Sequence, residues 1–471
     1  MAGSFASINT ALTALRYQQT ALDIASTNVA NVGTDGYVRR RVVGETLGAA
    51  SAPARWSRST ETASGVQATR VDRMTDALLD SRVRREHGRQ TYLDSRAAAL
   101  GRIETGLAEP GPSGVAAAVA DFRSTLADLS NAPGSDAARS QALGAAATVV
   151  DAIRLQAAHL GDEAADQRSH LLVSVEEANT VAADLASTNR TIAAARAGGS
   201  DTTTLMDQRD ALALRLTELT GAKATIQDDG GMSVELDGEV LVSGYSAARL
   251  TVTGGVDPDG SASGGPVVFS FAPDAAGGTT GPITVSDGDI GATVQVLDKD
   301  LPTYLKGLKD VAVKLADAVN AAQAGGYDAG GTKGADLFSY DKLAVDPGAI
   351  LASLEVAIDD PAGLAASAIP GGGLDGNNAV ALGRAVDVDD EYQQLVNGFG
   401  STVASAQRLS QNQQALTNQV DSAREQLAGV SLDEETVNML SAQRAYEAAA
   451  RVMTTLDSVL DTLINRTGLV R

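Results

Sequence analysis

The sequence contains no cysteine and few aromatic residues. With no thiol among its 471 residues, the chain forms no disulfide and has no cysteine to serve as a nucleophile or metal ligand. Aromatic residues make up 3% of the chain and include a single tryptophan, so the core must be built mainly from Ala, Leu and Val. Such a composition favours helices packed closely on one another.

Histidine, the usual general base of enzymes, is also scarce. The chain has His87, His159 and His170, and none lies between residues 223 and 374. His159 has acidic neighbours at helical spacing but no second histidine four residues away, so we expect solvated helix surface there and no metal site. Motifs of metalloproteases, serine hydrolases and phosphate-binding loops are missing. The sequence therefore predicts no enzyme, no catalytic residue, no metal and no cofactor.

Long apolar runs are missing as well. No stretch of 18 or more apolar residues occurs, so we expect no transmembrane helix. The N-terminus lacks the basic segment, the apolar core and the small-residue cleavage site of a secretory signal peptide. If the protein is exported, we expect a route that uses no cleaved signal peptide.

The charge is strongly negative but unevenly distributed. The formal net charge is −22, which argues against nucleic-acid binding because phosphate contacts need a basic surface. In residues 39–102, however, thirteen arginines stand against seven acidic side chains. This basic segment could be a binding patch, although a run of this kind more often forms solvated helix faces.

Apolar residues at heptad spacing mark both ends of the chain. The segment from Ser4 to Asn31 and the one from Asn438 onward repeat at steps of three and four, the pattern of a coiled-coil seam. Lone helices of this length are marginally stable, so each seam needs the other seam or another subunit as a partner. The predicted assembly interfaces are Ile8, Leu12, Leu15, Leu22 and Val29 in the N-terminal helix, and Ala445, Ala449, Val452, Leu456, Val459 and Leu463 in the C-terminal helix.

The middle of the chain is predicted to be mainly helical. The longest helix is expected at 136–197, another begins at Thr204 with a capping-box-like Asp207, and Ser431 with Glu434 forms a capping box for the last helix. Short β-branched runs separated by Gly, Pro and Asp predict strands within 223–296, down to "ATVQVL", with "DPDGS" and "SDGDIG" as hairpin turns.

These patterns predict a mainly α fold with an inserted small β-domain. The N- and C-terminal helices pair as a coiled-coil rod, and a long-helix bundle forms the middle. The predicted regions are 1–36 and 437–471 for the terminal coiled-coil assembly region, 37–222 and 297–436 for the helical middle domain with a mixed stretch at 327–374, and 223–296 for the β-domain.

The segment "NVANVGTDGYVR", starting at Asn28, resembles the N-terminal signature of bacterial flagellar axial proteins, the rod, hook and hook-associated proteins. The signature is matched by Ala30, Asn31, Thr34, Gly36, Tyr37 and Arg39, while Gly33 and Asp35 depart from its usual form. Residues 429–468 look like the C-terminal helix of the same family. The blocks at 71–84, 121–143 and 205–222 resemble its hook-associated members at the first hook–filament junction.

The resemblance implies a structural component of the flagellum that joins hook to filament and is extracellular. Members of the family are exported unfolded and assemble at the growing tip. The implied partners are copies of the chain in a helical ring, hook subunits below, the next junction protein and the filament above, and an export chaperone at 437–471. No nucleic acid and no membrane insertion are expected.

Three alternatives stay open at this point. The chain could be another flagellar axial protein, such as the hook subunit or the distal junction protein, although hook subunits are mostly β between their ends. An enzyme grafted into the scaffold would need a catalytic constellation within 223–374, where there is no histidine. An exported helical adhesin or effector would explain the heptads but not the Asn-Thr-Gly-Tyr turn.

The signature segment also has a mechanical interpretation. We expect it to be an elbow at which the chain leaves the N-terminal helix. Gly33 and Gly36 permit the bend, and Tyr37 anchors the exit by packing. The stretch "VRRRVV" that follows is expected to run extended toward the next domain.

Overall fold

The computed structural model describes residues 2–47, 65–227, 230–272, 281–371 and 375–465, with side chains from Ser7 to Thr462 within those ranges. Most of this part of the chain is helical. The helices are α1 (Ala2–Ala30), α2 (Ala77–Leu107), α3 (Val115–Asn131), α4 (Asp136–Ala197), α5 (Thr203–Thr220), α6 (Gly288–Gln295), α7 (Leu301–Gly325), α8 (Pro347–Ser353), α9 (Asn377–Ala385), α10 (Asp389–Ala428) and α11 (Leu432–Asn465). A π-helical stretch, Val296–Asp300, joins α6 to α7, and Pro361–Gly363 forms a 3₁₀ turn.

The strands form small antiparallel sheets. They are β1 (Arg40–Thr46), β2 (Val66–Arg73), β3 (Lys223–Ile226), β4 (Met232–Leu236), β5 (Glu239–Ser243), β6 (Ser246–Ala247), β7 (Arg249–Val256), β8 (Ala262–Ala272), β9 (Phe338–Ser339) and β10 (Glu355–Val356). β1 pairs with β2, so the predicted extended stretch after the elbow is confirmed. β3 to β6 form a four-stranded sheet in sequence order, and β7 and β8 form a hairpin. The "DPDGS" turn joins β7 to β8, as predicted.

Helix α4 is the longest helix of the described chain and contributes to both apolar cores. Its 62 residues match the predicted boundaries and, at 1.5 Å per residue, extend about 90 Å. The first half of α4 belongs to an apolar core shared with α2, α3, α7, α9 and α10. The second half belongs to a separate core shared with α5, α6 and the strands β3 to β8. The predicted fold class, mainly α with an inserted β region, is confirmed.

The terminal helices stand apart from both cores. α1 packs along α11, and the strands β1 and β2 pack beside α1. No described residue of α1 or α11 belongs to either apolar core. Among the described residues of this pair, the fully buried apolar side chains are the small ones of Ala11, Ala25 and Ala442. The pair must therefore depend on polar contacts and on partly buried apolar side chains.

Two predictions for the segment before α7 are wrong. "SDGDIG" is the start of α6 and not a hairpin turn, and "ATVQVL" is helical and not a strand. Gly288 adopts φ +70°, and a Cβ there would lie 2.7 Å from the carbonyl oxygen of Glu218, so the chain enters α6 through a tight glycine contact. Ile290 and Val296 are buried between α6 and its neighbours, and this burial outweighs the β propensity of the segment.

A histidine connects three helices of the middle domain. His87 on α2 places Nε2 2.9 Å from Asp421 on α10 and Nδ1 3.5 Å from Glu218 on α5. The hydrogen bond to Glu218 is the largest cause that raises the pKa of His87 above its ordinary value, and Asp421 adds to it. The protonated imidazole therefore stabilises the junction of α2, α5 and α10.

This contact predicts a pH dependence of stability. Because the pKa of His87 is raised on folding, its contribution is complete below the unfolded value of about 6.5 and is lost as the pH rises through the folded value. We expect the free energy of unfolding by urea to fall as the pH rises above about 6.5, and His87→Gln to remove part of that fall. The control is His159→Gln on the exposed surface of α4, which should keep the wild-type profile. An unchanged profile in His87→Gln would refute the assignment.

Candidate assembly interface

The signature segment folds into consecutive turns directly after α1. The Thr34 amide donates to the Asn31 carbonyl at 3.0 Å, and the Tyr37 amide donates to the Thr34 carbonyl at 3.2 Å. The Thr34 hydroxyl donates to Asn31 Oδ1 at 3.3 Å. Gly36 has φ +77°, a left-handed conformation that favours glycine. These bonds close the end of α1 and redirect the chain into β1, with Ala30 exposed on the outside.

Asn28, on the last turn of α1, lies at the centre of the elbow. Its buried amide donates from Nδ2 to the Arg40 carbonyl at 2.9 Å and to Glu435 Oε2 at 3.0 Å. Its Oδ1 accepts from the Arg40 amide at 3.0 Å and from the Tyr37 hydroxyl at 2.8 Å. Burial raises the pKa of Tyr37, so this hydroxyl stays protonated and donates. The full hydrogen-bonding capacity of one side chain thus joins α1 to the elbow, to β1 and to α11.

Arg39 makes the matching connection to α11. Its guanidinium contacts Glu435 at 2.7 Å and Glu434 at 2.7 Å, and its backbone amide donates to the Ala428 carbonyl at 2.9 Å. The side chain of Glu435 is 3% exposed and that of Glu434 is 63% exposed. The predicted capping box is half present, because the Glu434 amide bonds Ser431 Oγ at 3.4 Å while the Glu434 carboxylate goes to Arg39.

A second ion-pair cluster ties the elbow to the start of α5. Asp207 accepts from Arg40 at 3.1 Å and from Arg73 at 2.7 Å, and Arg73 also contacts Asp210 at 2.8 Å. The predicted capping role of Asp207 is therefore wrong. α5 begins at Thr203, whose amide is bonded by Asp201 at 2.9 Å, and this leaves the Asp207 carboxylate free to bind the two arginines.

The predicted apolar stripes divide between two faces. The stripe of α1 is partly buried at every predicted position, namely Ile8, Leu12, Leu15, Leu22 and Val29. On α11, Ala445, Ala449 and Leu456 are partly buried, whereas Val452 and Val459 are 50% and 45% exposed. The Leu463 side chain lies outside the described residues. α1 packs along α11, and Met453, Leu456 and Leu460 are partly buried on α11, whereas the two valines are exposed.

Sequence reasoning missed the residues that hold the elbow together. Asn28 stands first in the quoted segment without matching a signature position, and Glu435 lies next to the predicted capping residue Glu434. An amide at the end of an amphipathic helix, next to the turn signature, was the available signal for Asn28. Nothing local indicates that Arg39 and Glu435, 396 positions apart, form an ion pair.

None of the helices within the described ranges is long and apolar enough to cross a bilayer. In the same part of the chain, no group of three His, Asp or Glu side chains is placed to hold a metal ion. Near the exposed His159, Glu163 instead contacts Arg102 at 2.8 Å and accepts from Gln167 at 2.8 Å.

Comparison with known families gives three matches along the chain. The family model described as the helical domain of flagellar hook-associated protein FlgK matches residues 100–338. The model of the flagellar basal body rod FlgEFG protein C-terminal region matches residues 426–466, and that of the flagella basal body rod protein matches residues 8–37. The two terminal matches contain most of α1 and all of α11.

Curated relatives and one solved structure agree with these families. The chain is 30% identical to flagellar hook-associated protein 1 of Bacillus subtilis (strain 168), with 99% of each chain covered. It is 25% identical to the protein of the same name from Escherichia coli (strain K12), covering 97% of this chain and 99% of that one. The structure of the flagellar hook junction protein FlgK from Burkholderia pseudomallei has a similar fold, with a TM-score of 0.65 at 16% identity over 74% of this chain and 100% of that chain.

These matches confirm the resemblance drawn from the terminal motifs. They also confirm the predicted function, a structural component of the flagellar hook–filament junction. The relatives are structural proteins of the flagellum and not enzymes. With a relative of 30% identity that is matched over its full length, the chain belongs to the flagellar hook-associated protein 1 family.

Proposed function

We propose that the chain assembles with copies of itself into a ring at the tip of the hook, with hook subunits below and the next junction protein and filament above. The observation that carries the proposal is the second apolar stripe on α11. Val437, Val452 and Val459 are 65%, 50% and 45% exposed although α1 already covers the adjacent face. Apolar residues repeated along one exposed helix face indicate a protein contact that the monomer does not make.

A ring of this kind needs two different surfaces on each copy. Contacts between unlike surfaces do not close as a dimer, and so they continue around an axis. The α1–α11 pair supplies one such surface, with the pair packed as a coiled-coil rod toward the inside of the assembly. The elbow cluster around Asn28 holds that rod at a defined position on the middle domain, because it bonds α1, β1 and α11 together.

Export in an unfolded state is the second part of the proposal. The terminal pair has few buried apolar side chains, which makes it the part of the described fold that opens most easily. The absence of cysteine removes any disulfide that would have to be reduced first. We assign residues 437–471 as the chaperone-binding segment, whose exposed Val437 and Leu440 offer apolar contacts before assembly. The protein then has no enzymatic role and leaves the cell without a cleaved signal peptide.

Deletion of the gene tests this function. We expect cells with normal hooks, no filaments and flagellin released into the medium, because the filament lacks its base. Expression of the chain from a plasmid should restore filaments. Normal filaments in the deletion strain would contradict the proposal, and loss of the hooks themselves would indicate a hook subunit instead.

A further inference from the structure

Three arginines of the basic segment line a cleft that lies outside the elbow. We call it the Arg84 cleft. It lies where α2, α5 and β3 meet and has a volume of about 310 Å³. Its basic lining residues are Arg84, Arg85, Arg89 and Lys223, and Asp287 is the one carboxylate among the lining residues. Arg89 and Lys223 are exposed and place their charges at the opening, whereas the exposed Arg85 contacts Glu86 at 3.1 Å.

Among the described residues, Arg84 is a buried cation that forms no ion pair with a carboxylate. The residue is 7% exposed, and its Nη2 reaches only the Ala224 carbonyl, at 3.4 Å. Its Nε has no hydrogen-bond partner within the described part of the chain. Burial lowers the pKa of Arg84, which is the direction expected for a guanidinium that lacks sufficient compensation.

The nearest carboxylates are already bound to other arginines. Asp80 contacts Arg424 at 3.3 Å. Asp210 contacts Arg73 and Arg209, each at 2.8 Å. Buried guanidinium groups are normally compensated by acidic or carbonyl oxygens, so a carboxylate brought into the cleft beside Arg84 would compensate its buried charge.

The shape of the cleft is set by two close approaches. Gly88 on α2 lies against α5, where a Cβ would come within 3.0 Å of Thr217. Gly221 ends α5 in a left-handed conformation with φ +71°, and a Cβ there would lie 2.4 Å from the Cβ of Asp287. These close approaches leave no room for a side chain at either glycine and define the distance between the walls of the cleft.

We propose that the Arg84 cleft receives a carboxylate side chain from a second copy of this chain. The argument for that occupant is charge complementarity. Arginines outnumber acidic residues in 39–102, while the whole chain has a net charge of −22, so the surface outside the basic segment is strongly acidic. A contact between unlike surfaces of two copies brings an acidic surface against this basic one. The inference rests on the proposed assembly of copies into a ring.

Site-specific photocrosslinking tests the occupant. A photoreactive amino acid replaces Lys223 in the full chain, and hooks with attached filaments are isolated after irradiation in cells. We expect a covalent adduct of two copies of this chain. An adduct with a different flagellar protein, or no adduct from correctly incorporated chain, would overturn the proposal. Inorganic sulfate that stabilises the monomer without a crosslink would indicate a free-anion site and would also overturn it.

Charge reversal tests the chemistry. The double variant Arg89→Glu with Lys223→Glu is expected to reduce the amount of chain in isolated flagella by about tenfold, because it turns an attraction into a repulsion. The control is Arg154→Glu with Arg408→Glu, two exposed arginines on α4 and α10, which should incorporate normally. Both double variants should keep the circular dichroism spectrum of the wild type. If the chain does not assemble at the junction, the wild type is missing there as well, and the proposed function fails. If the wild type assembles and both double variants are incorporated equally, only the cleft proposal is refuted.

Discussion

Replacing Glu435 by Ala is expected to lower the free energy for opening the α1–α11 pair by about 3 kcal/mol, the lower end of the range for breaking a buried ion pair. The Glu435 side chain is 3% exposed, and it accepts from Arg39 and from Asn28. Its removal leaves two donors without their partner in a place that water reaches poorly, and each such donor has a desolvation cost. The lower end applies because Arg39 is itself 22% exposed.

Glu434 provides the matched control. It contacts the same guanidinium at 2.7 Å, one residue away on α11, but its side chain is 63% exposed. Exposed ion pairs contribute little, so Glu434→Ala is expected to cost less than about 1 kcal/mol. Hydrogen exchange of the amides in α1 and α11 measures both values in the intact chain. Equal effects of the two substitutions would show that burial of the Arg39–Glu435 pair does not hold the terminal helices.

The second large effect concerns incorporation into the flagellum. Val459→Asp is expected to leave the monomer as stable as wild type and to reduce incorporation by at least about tenfold. A tenfold reduction corresponds to a loss of about 1.4 kcal/mol in the free energy of association. Val459 is 45% exposed in the monomer and lies one heptad from Val452 on the same face. A carboxylate placed on a surface that becomes buried during assembly must be desolvated without a partner.

Substitutions at two nearby positions distinguish an effect on assembly from an effect on the stability of the monomer. Leu456→Asp is expected to weaken the α1–α11 pair in the monomer as well, because Leu456 is partly buried on the helix that packs along α1. Ser458→Asp adds the same charge at the adjacent exposed position, about 100° around α11 from Val459, and should incorporate normally. The readouts are helix content of the monomer and the amount of chain in isolated hook–basal bodies. Normal incorporation of Val459→Asp would refute the exposed stripe as an interface.

The features that the sequence predicted correctly are mostly local. The predicted range of the 62-residue α4 is right at both ends. Its apolar pattern is continuous, and Ser135 and Gly198 cap the helix directly before and after that pattern. The turn signature was visible for the same reason. The heptad ladder on α11 was also local, but a ladder of this kind does not say which of its residues face α1 and which stay exposed.

What the sequence left out depends on contacts between distant segments. The helical state of α6 follows from burial of Ile290 and Val296, which overrides their β propensity. The true role of Asp207 follows from two arginines that reach it from the elbow and from β2. The central position of Asn28 requires β1 and α11 to meet at the end of α1. Each of these facts is a property of the tertiary arrangement and has no signal within a short window.

The position of the chain in the assembled flagellum tests the central claim most directly. Because the chain has no native cysteine, Ser263→Cys on the exposed start of β8 introduces a single thiol for a maleimide-gold label. Electron microscopy of labelled, isolated flagella is expected to show gold in one narrow band between hook and filament. Gold along the filament, along the hook or only on the cell body would contradict the account.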